Sequence, residues 1–318
     1  MQKIINIEQG VTRMPAWRMS EPVDFEAYDG EHIAIVGPNG GGKSMLVDII
    51  IGRHPLLIKD PEYDFSPSTK ELVSQNIKYI TFRDSYGDDY DSVYYLQQRW
   101  NQQEIDENTP TVGKVLEESF NMSGEDTSER RELQTHLYKL FNLEELLDKY
   151  IILLSSGEIR KLQLTKALLS DPRVLIMDNP FIGLDNNTRD QLKYLLKILS
   201  EQQAIMIILI LSKKDDIPDF ITHVVEVCGM KVKYKIDKED YLAKLAPFPA
   251  HVLSKENKDA IINLPYNNDK YNTTEVVKMK KVSIRYGKRT ILKNLDWTVK
   301  NGEQIGRESC RERVSNYV

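Results

Sequence analysis

The sequence predicts an α/β domain built on a parallel sheet, and three observations predict it. Strand-like runs recur at 32–36, 77–82, 173–177 and 204–211, the last too apolar to have a wet face; parallel strands covered on both sides read this way. Stretches with helical spacing separate them, such as Leu192, Leu195, Leu196 and Leu199. The first run ends in a glycine-rich turn, GPNGGGKS at Gly37–Ser44, that opens into a helix. Alternation of strand and helix places the helices on the faces of the sheet.

Taken in order, residues 32–36 form the first buried strand, and a helix follows from Lys43 to Ile51, ended by Gly52. Residues 77–82 give the next strand. From about 86 to 150 the chain is polar and helical, rich in Glu, Gln, Leu and Lys, as an inserted helical subdomain would be. Arg173–Met177 is the third strand and 204–211 the fourth. Val224–Val227 and Met230–Tyr234, joined near Gly229, suit a closing hairpin. Residues 236–275 carry mixed charge and three prolines, Pro247, Pro249 and Pro265, and read as a linker with short helices.

A repeat follows. Residues 24–33 read DFEAYDGEHI and residues 296–305 read DWTVKNGEQI, with Asp, Gly, Glu and Ile in matching places, Phe25 against Trp297, and Arg13 against Arg285 upstream. Coincidence and duplication are the two readings. The match lies where a second copy would begin, which favours duplication. In that register the second glycine-rich turn falls at 309–316, yet those residues contain no glycine and no lysine. The expected organisation is therefore one complete domain over 1–235, with its helical subdomain at about 86–165. A linker over 236–275 and the start of a second, truncated copy over 276–305 follow. The last residues, 306–318, form an anomalous tail. It resembles a translated sequencing adapter; a frameshift or a natural tail is the alternative.

Composition bounds the function. The 318 residues suggest about two domains. With 41% apolar and 29% charged residues, a core of ordinary size is available. The net charge of −5 argues against nucleic acid as the main partner, since such proteins carry a basic face. Cys228 and Cys310 form no framework and the five histidines have no ligand spacing, which points to a reducing compartment. No apolar run approaches the roughly 20 residues that cross a bilayer, and no leader stands at Met1, so the expected location is the cytoplasm.

Three motifs carry chemistry. In Gly37–Ser44 the glycines Gly37, Gly40, Gly41 and Gly42, with Asn39, let main-chain N–H groups converge on a phosphate, and the following helix adds its positive end. Lys43 is placed to reach the β- and γ-phosphates, and Ser44 to ligate Mg²⁺. In RVLIMDNP, Arg173–Pro180, Asp178 ends a hydrophobic strand where it can hold Mg²⁺ or its water. In LSSGEIRK, Leu154–Lys161, Ser155, Ser156 and Gly157 open a helix; taken alone, this equals a Ser N-cap supported by Glu158.

In this order and spacing the motifs resemble the ABC ATPase family: Gly37–Ser44 its Walker A loop, 174–180 its Walker B strand, LSSGEIRK its signature, and Phe181–Asp185 its D-loop with Asp185. LSSGE-x-R-K and the tandem arrangement are most similar to the ModF- and photorepair-like branch of soluble tandem cassettes. The resemblance implies a P-loop NTPase fold with a parallel β-sheet core, an antiparallel β-subdomain and an inserted helical subdomain. It implies ATP and Mg²⁺ as cofactors. It also implies head-to-tail docking with a second ABC cassette, intramolecular in the intact protein or in a homodimer. Ser155, Ser156, Gly157 and Glu158 would then meet ATP held by the partner cassette. A membrane permease is a further possible partner, docking near 83–100 and drawing the chain to the inner face of the membrane.

The sequence departs from the family at four points. Asn179 stands where the family has a Glu that activates water, and an amide accepts no proton at neutral pH. Losing a general base costs about 10²–10⁴ in rate, so hydrolysis in this site should be slow. Lys213 stands at the switch histidine, able to meet γ-phosphate as a point charge. The Q-loop glutamine is missing after 77–82, where the chain reads Arg83-Asp84-Ser85; Gln97 and Gln98 are later candidates. The aromatic that stacks on adenine has Met14 at its register position, matching Tyr286 in the second copy, and Trp17 nearby. Three functions stay open: an ABC ATPase subunit, an ATP-dependent switch or scaffold, and an ABC translation or DNA-repair factor.

Overall fold

The computed structural model describes residues 1–82, 109–202, 205–213, 216–244, 254–263, 274–286 and 289–303. They fall into two units, divided between Pro247 and Phe248.

In the first unit, β1 (Lys3–Gly10), β2 (Val23–Tyr28) and, beyond the helix α1 (Lys43–Ile50), β4 (Glu62–Tyr63) form an antiparallel sheet in the order β2-β1-β4. The other strand of this region, β3 (Ile33–Val36), belongs to the second sheet. A short helix α2 (Val73–Asn76) leads into β5 (Ile77–Thr81). Three helices follow: α3 (Val112–Met122), α4 (Ser128–Leu140) and α5 (Ser156–Leu168). Then come β6 (Val174–Asp178), α6 (Asn186–Gln202), β7 (Met206–Leu211), β8 (His223–Cys228), β9 (Lys231–Val232), β10 (Ile236–Asp237) and α7 (Lys238–Lys244).

The large sheet runs β10-β8-β3-β7-β6-β5, with β9 paired to β8. The pairings β8/β3, β3/β7, β7/β6 and β6/β5 are parallel, while β10 and β9 run antiparallel to β8. Alternation along these strands explains why they carry no polar face. Ala34, Val36, Leu175, Met177, Ile207, Leu209 and Leu211 enter the core shared with the helical subdomain. Ile33, Ile35, Val174, Ile176, Met206, Ile208 and Ile210 enter the core beneath the antiparallel sheet, with Leu46, Val47, Ile49 and Ile50 of α1. Each side of the strand meets a different apolar layer.

Two boundaries differ from the sequence reading. Val224–Val227 is part of an inner strand of the main sheet, paired parallel to β3, as well as the first arm of the hairpin turning at Gly229. Ile236 and Asp237, expected in the linker, pair with Val224 and His223, and Tyr241 lies in the helical-side core. The cassette therefore runs past 235, because one more short strand completes the sheet edge. Gln97, Gln98, Arg83-Asp84-Ser85 and the tail 306–318 lie outside the described residues, as does all of 86–108.

The second unit holds the helix α8 (Lys255–Ile262) and a hairpin of β11 (Glu275–Tyr286) and β12 (Arg289–Lys300). Its internal geometry repeats that of β1 and β2 residue by residue, 272 positions on. Ile7 pairs with Phe25 and Met279 with Trp297; Gly10 pairs with Val23 and Val282 with Leu295. Between those pairs both ladders shift register, at a left-handed residue: Gln9 with φ 49° and Lys281 with φ 50°. Its N–H leaves the ladder and donates to an aspartate, Asp24 Oδ1 or Asp296 Oδ1, at 2.7 Å in both. The hairpin ends match too: Tyr28 N donates to Glu31 Oε2 at 2.9 Å, and Lys300 N to Glu303 Oε2 at 3.0 Å. Four identical residues in ten are thus accompanied by a matching bulge, anchor and turn, which favours duplication over coincidence.

Candidate functional site

The site forms at the carboxyl ends of the parallel strands, where α/β sheets bind ligands. Register brings the ends together: Thr81 lies beside Asp178, Asp178 beside Ile210, and Val36 beside Leu211. A cavity of about 580 Å³ opens there, lined by Asn39, Gly40, Gly42, Lys43, Ser44, Met45, Phe82, Arg160, Asp178, Asn179, Ile182 and Met230. Its size suits a nucleotide.

The glycine loop is shaped by contacts that forbid side chains. A Cβ on Gly37 would lie 1.9 Å from the Val227 carbonyl oxygen, so β8 presses directly on the loop. Gly40 and Gly42 adopt φ of 76° and 106°, conformations that glycine takes at no steric cost. Gly42 caps α1, and Leu46 N donates to its carbonyl. The β8–β9 turn braces the loop from outside: Met230 N donates to Gly41 O at 2.9 Å.

Lys43 is buried, and its ammonium donates to the carbonyls of Gly37 at 2.7 Å and Pro38 at 2.9 Å. Burial lowers its pKa, and the Asp178 charge opposes that shift. Buried Asp178 accepts from Asn179 Nδ2 at 2.6 Å and from the Tyr79 hydroxyl at 3.3 Å. Ser44 is exposed at the mouth. A carboxylate and a hydroxyl are hard oxygen donors of the kind Mg²⁺ takes, and the glycine cradle is open where a Cβ would intrude. These residues fit a magnesium–nucleotide. No cluster of three or more His, Cys, Asp or Glu exists among the described residues, so phosphate and water oxygens would complete such a metal's shell.

Asn179 is held tightly. It has φ 49°, in the left-handed region where Asn is enriched among non-glycine residues. Its Oδ1 accepts from Ser212 N at 3.1 Å and Ser212 Oγ at 2.9 Å. Ser212 Oγ also lies 2.9 Å from Asn39 Oδ1. One hydroxyl proton cannot serve both amide oxygens, so the consistent network has the Asn39 amide turned to donate its N–H to Ser212. Both lone pairs of the Asn179 oxygen are then occupied, and it has no acceptor left for a water.

The signature residues lie apart from this cavity's lining. Ser155 caps α5 in a capping box: Ser155 N donates to Glu158 Oε2 at 2.6 Å, and Glu158 N to Ser155 Oγ at 3.3 Å. Burial would raise the Glu158 pKa, but its bonds from Lys149 and Ser155 prevail and lower it. Ser155 and Ser156 are exposed, open to a partner, and Gly157 packs against Thr188, where a Cβ would come within 2.8 Å. Asp185 is half-buried just before α6, and Lys213 is exposed. Trp17 does not line the cavity; it stacks on His54, with ring centroids 4.9 Å apart. His54 covers one face of that ring, and Trp17 is 41% exposed.

Sequence reasoning missed Arg160, Phe82, Ile182, Met45, Met230 and Ser212. A signal existed for Arg160: it shares a helix face with Leu164 and Leu168, both buried, so a charge there demands a reason.

Comparison with known proteins meets this geometry directly. The family model described as ABC transporter matches residues 20–182, which include the glycine loop, Asp178 and the signature. The chain belongs to the ABC transporter family. ModF, an ABC transporter ATP-binding protein of Escherichia coli, is 29% identical over 308 residues, covering 94% of this chain and 58% of ModF. An uncharacterized ABC transporter ATP-binding protein of Schizosaccharomyces pombe is 27% identical over 286 residues, covering 89% of this chain and 55% of its own. This chain thus spans a little over half the length of these relatives. In fold it is similar to cbiO1 from Clostridium perfringens, with a TM-score of 0.60 and 21% identity, covering 77% of this chain and 92% of that one. It is similar also to the ADP conformation of an ATP-binding cassette of an ABC transporter, with a TM-score of 0.60 and 16% identity, covering 83% and 100%. The fold expected from the motifs is the fold found. No helix among the described residues is long and apolar enough to cross a membrane.

Proposed function

We propose that the chain is the first cassette of a tandem ABC ATPase that binds ATP·Mg²⁺ in this cavity and hydrolyses it slowly. The supporting observation is the convergence of the glycine cradle, Lys43 and Asp178 on one cavity of nucleotide size. Main-chain N–H groups of Gly40–Ser44 and the start of α1 would bind the phosphates, with Lys43 exchanging its carbonyl partners for the β- and γ-oxygens. Ser44 and Asp178 would hold magnesium, which when bound neutralises charge developing on the transferred phosphoryl group. Asn179 would orient Asp178 and donate a hydrogen bond to water, but it cannot take up a proton from it. Ser155, Ser156 and Gly157 would meet the γ-phosphate in a second cassette. The matching hairpin of the second unit supports an intramolecular partner.

Coupling to transport through a membrane permease, or to another cytoplasmic process, is the expected use of ATP binding and hydrolysis. A second reading is an ATP-dependent switch with no turnover of its own, favoured by the filled acceptors of Asn179. Titration of ATP in magnesium tests the binding reading: Lys43→Ala should abolish measurable affinity, and equal affinity in that variant would overturn it. Turnover, measured on this cassette joined to a complete second one, separates the two readings. Rapid hydrolysis confined to this site would overturn both.

A further inference from the structure

Arg160 is the one charged residue lining the cavity that the proposed function leaves unused. It sits in the first turns of α5, the helix that the signature residues open, and is 9% exposed. Among the described residues no carboxylate pairs with it. Burial alone acts on its guanidinium, pulling the pKa down to about 10. A buried cation without a counter-ion is costly unless its hydrogen bonds are well made. Here Nη1 donates to the Pro180 carbonyl and Nη2 to the Ile182 carbonyl, and Cζ lies 4.8 Å from the centre of the Phe82 ring. Both carbonyls belong to the turn that follows Asp178 and Asn179, and Asp178, Asn179 and Ile182 all face the cavity.

We propose that Arg160 is a positioning residue that ties the helix carrying the signature to the turn carrying Asp178 and Asn179, so that the two move as one body. The planar fork suits this task. Two N–H vectors fixed in one plane set the spacing of two carbonyls, which a lysine's single ammonium cannot do. The turn is fixed at its start by Asn179 and by buried Phe181, but its internal bonds are long, Ile182 N to Asn179 O at 3.3 Å and Leu184 N to Phe181 O at 3.5 Å. The consequence is a link within one chain. The helix whose start would meet the partner's nucleotide is anchored at its side to the wall that orients magnesium in its own site. Occupancy of one site would therefore bias the geometry offered to the other. This rests on the nucleotide reading of the cavity.

The test uses the 318-residue chain and two measurements. Calorimetric titration with ATP is run in magnesium and again in EDTA. Loss of a residue that orients a metal-binding group costs about 10–100-fold in metal-dependent affinity. Arg160→Met should lose that much in magnesium and little in EDTA, with Arg160→Lys recovering little of it. Equal losses in both buffers would mean direct contact with phosphate and would overturn the proposal, as would no loss. Hydrogen exchange at the amides of Ile182 and Leu184, without nucleotide, tests the tie alone. Exchange should quicken in both variants, and Arg160→Lys serves if Arg160→Met does not fold. Unchanged exchange would overturn the proposal. A wild-type chain with no ATP affinity would instead strike the nucleotide reading, with the tie still decided by exchange.

Discussion

Replacing Asn179 separates its backbone role from its side-chain role. Asn179→Ala removes the bond to the Asp178 carboxylate, and bonds to charged groups contribute about 1.5–3 kcal/mol. It also places a Cβ-bearing residue of low left-handed preference at φ 49°, costing about 1 kcal/mol more. The sum is roughly 2.5–4 kcal/mol of cassette stability. Asn179→Gly forfeits the same bonds but tolerates the dihedral, so it should be about 1 kcal/mol more stable than the alanine variant. Urea unfolding midpoints of the three proteins, at unchanged slope, read both terms. An alanine variant as stable as the glycine variant would refute the backbone part; wild-type stability in either would refute the whole. Asn179→Glu supplies the missing base, and turnover should rise by up to about 10²–10⁴. It also sets a second carboxylate against Asp178, so its melting temperature should fall, and magnesium should restore part of the loss.

Other outcomes follow from the same geometry. Gly37→Ala forces a methyl into the Val227 carbonyl, so it should abolish ATP affinity and lower the urea midpoint; an intact ATP affinity would show that β8 does not press on the loop. Trp17→Ala should leave ATP affinity within about twofold, whereas a ring stacked on adenine would be worth about 1–3 kcal/mol, read in the same titration. The Glu158 carboxyl is held below its ordinary value, so the stability it contributes is present above the unfolded value. That stability is lost as pH falls through the folded one. Exchange at the Glu158 amide should therefore quicken below about pH 4.3, and not in Glu158→Gln.

Much of this was legible in the sequence, for reasons that differ by residue. Gly37–Ser44 and Asp178 could be read because local chemistry fixes them: a loop that must approach phosphate tolerates little but glycine, and a strand buried on both faces has no other use for a terminal acid. Ser155 and Glu158 could be read as a cap because capping is local. The partners of Arg160 and Ser212 could not be read, since Pro180 and Asn179 lie 20 and 33 residues away. The stacking of Trp17 on His54 was equally hidden, since proximity in sequence says nothing of it. The end of the cassette was set too early because a two-residue strand such as β10 has no period to detect.

The paired hairpins have a consequence for how such a chain can be recombined. Gln9 and Lys281 differ in charge, yet the same main-chain hydrogen points at the same acid in each. What the two halves share is thus an anchor and not a surface, and the acid at 24 or 296 should tolerate exchange far less than its neighbour across the bulge. Residues 275–303 grafted in place of 3–31 should accordingly keep strand alignment through the graft.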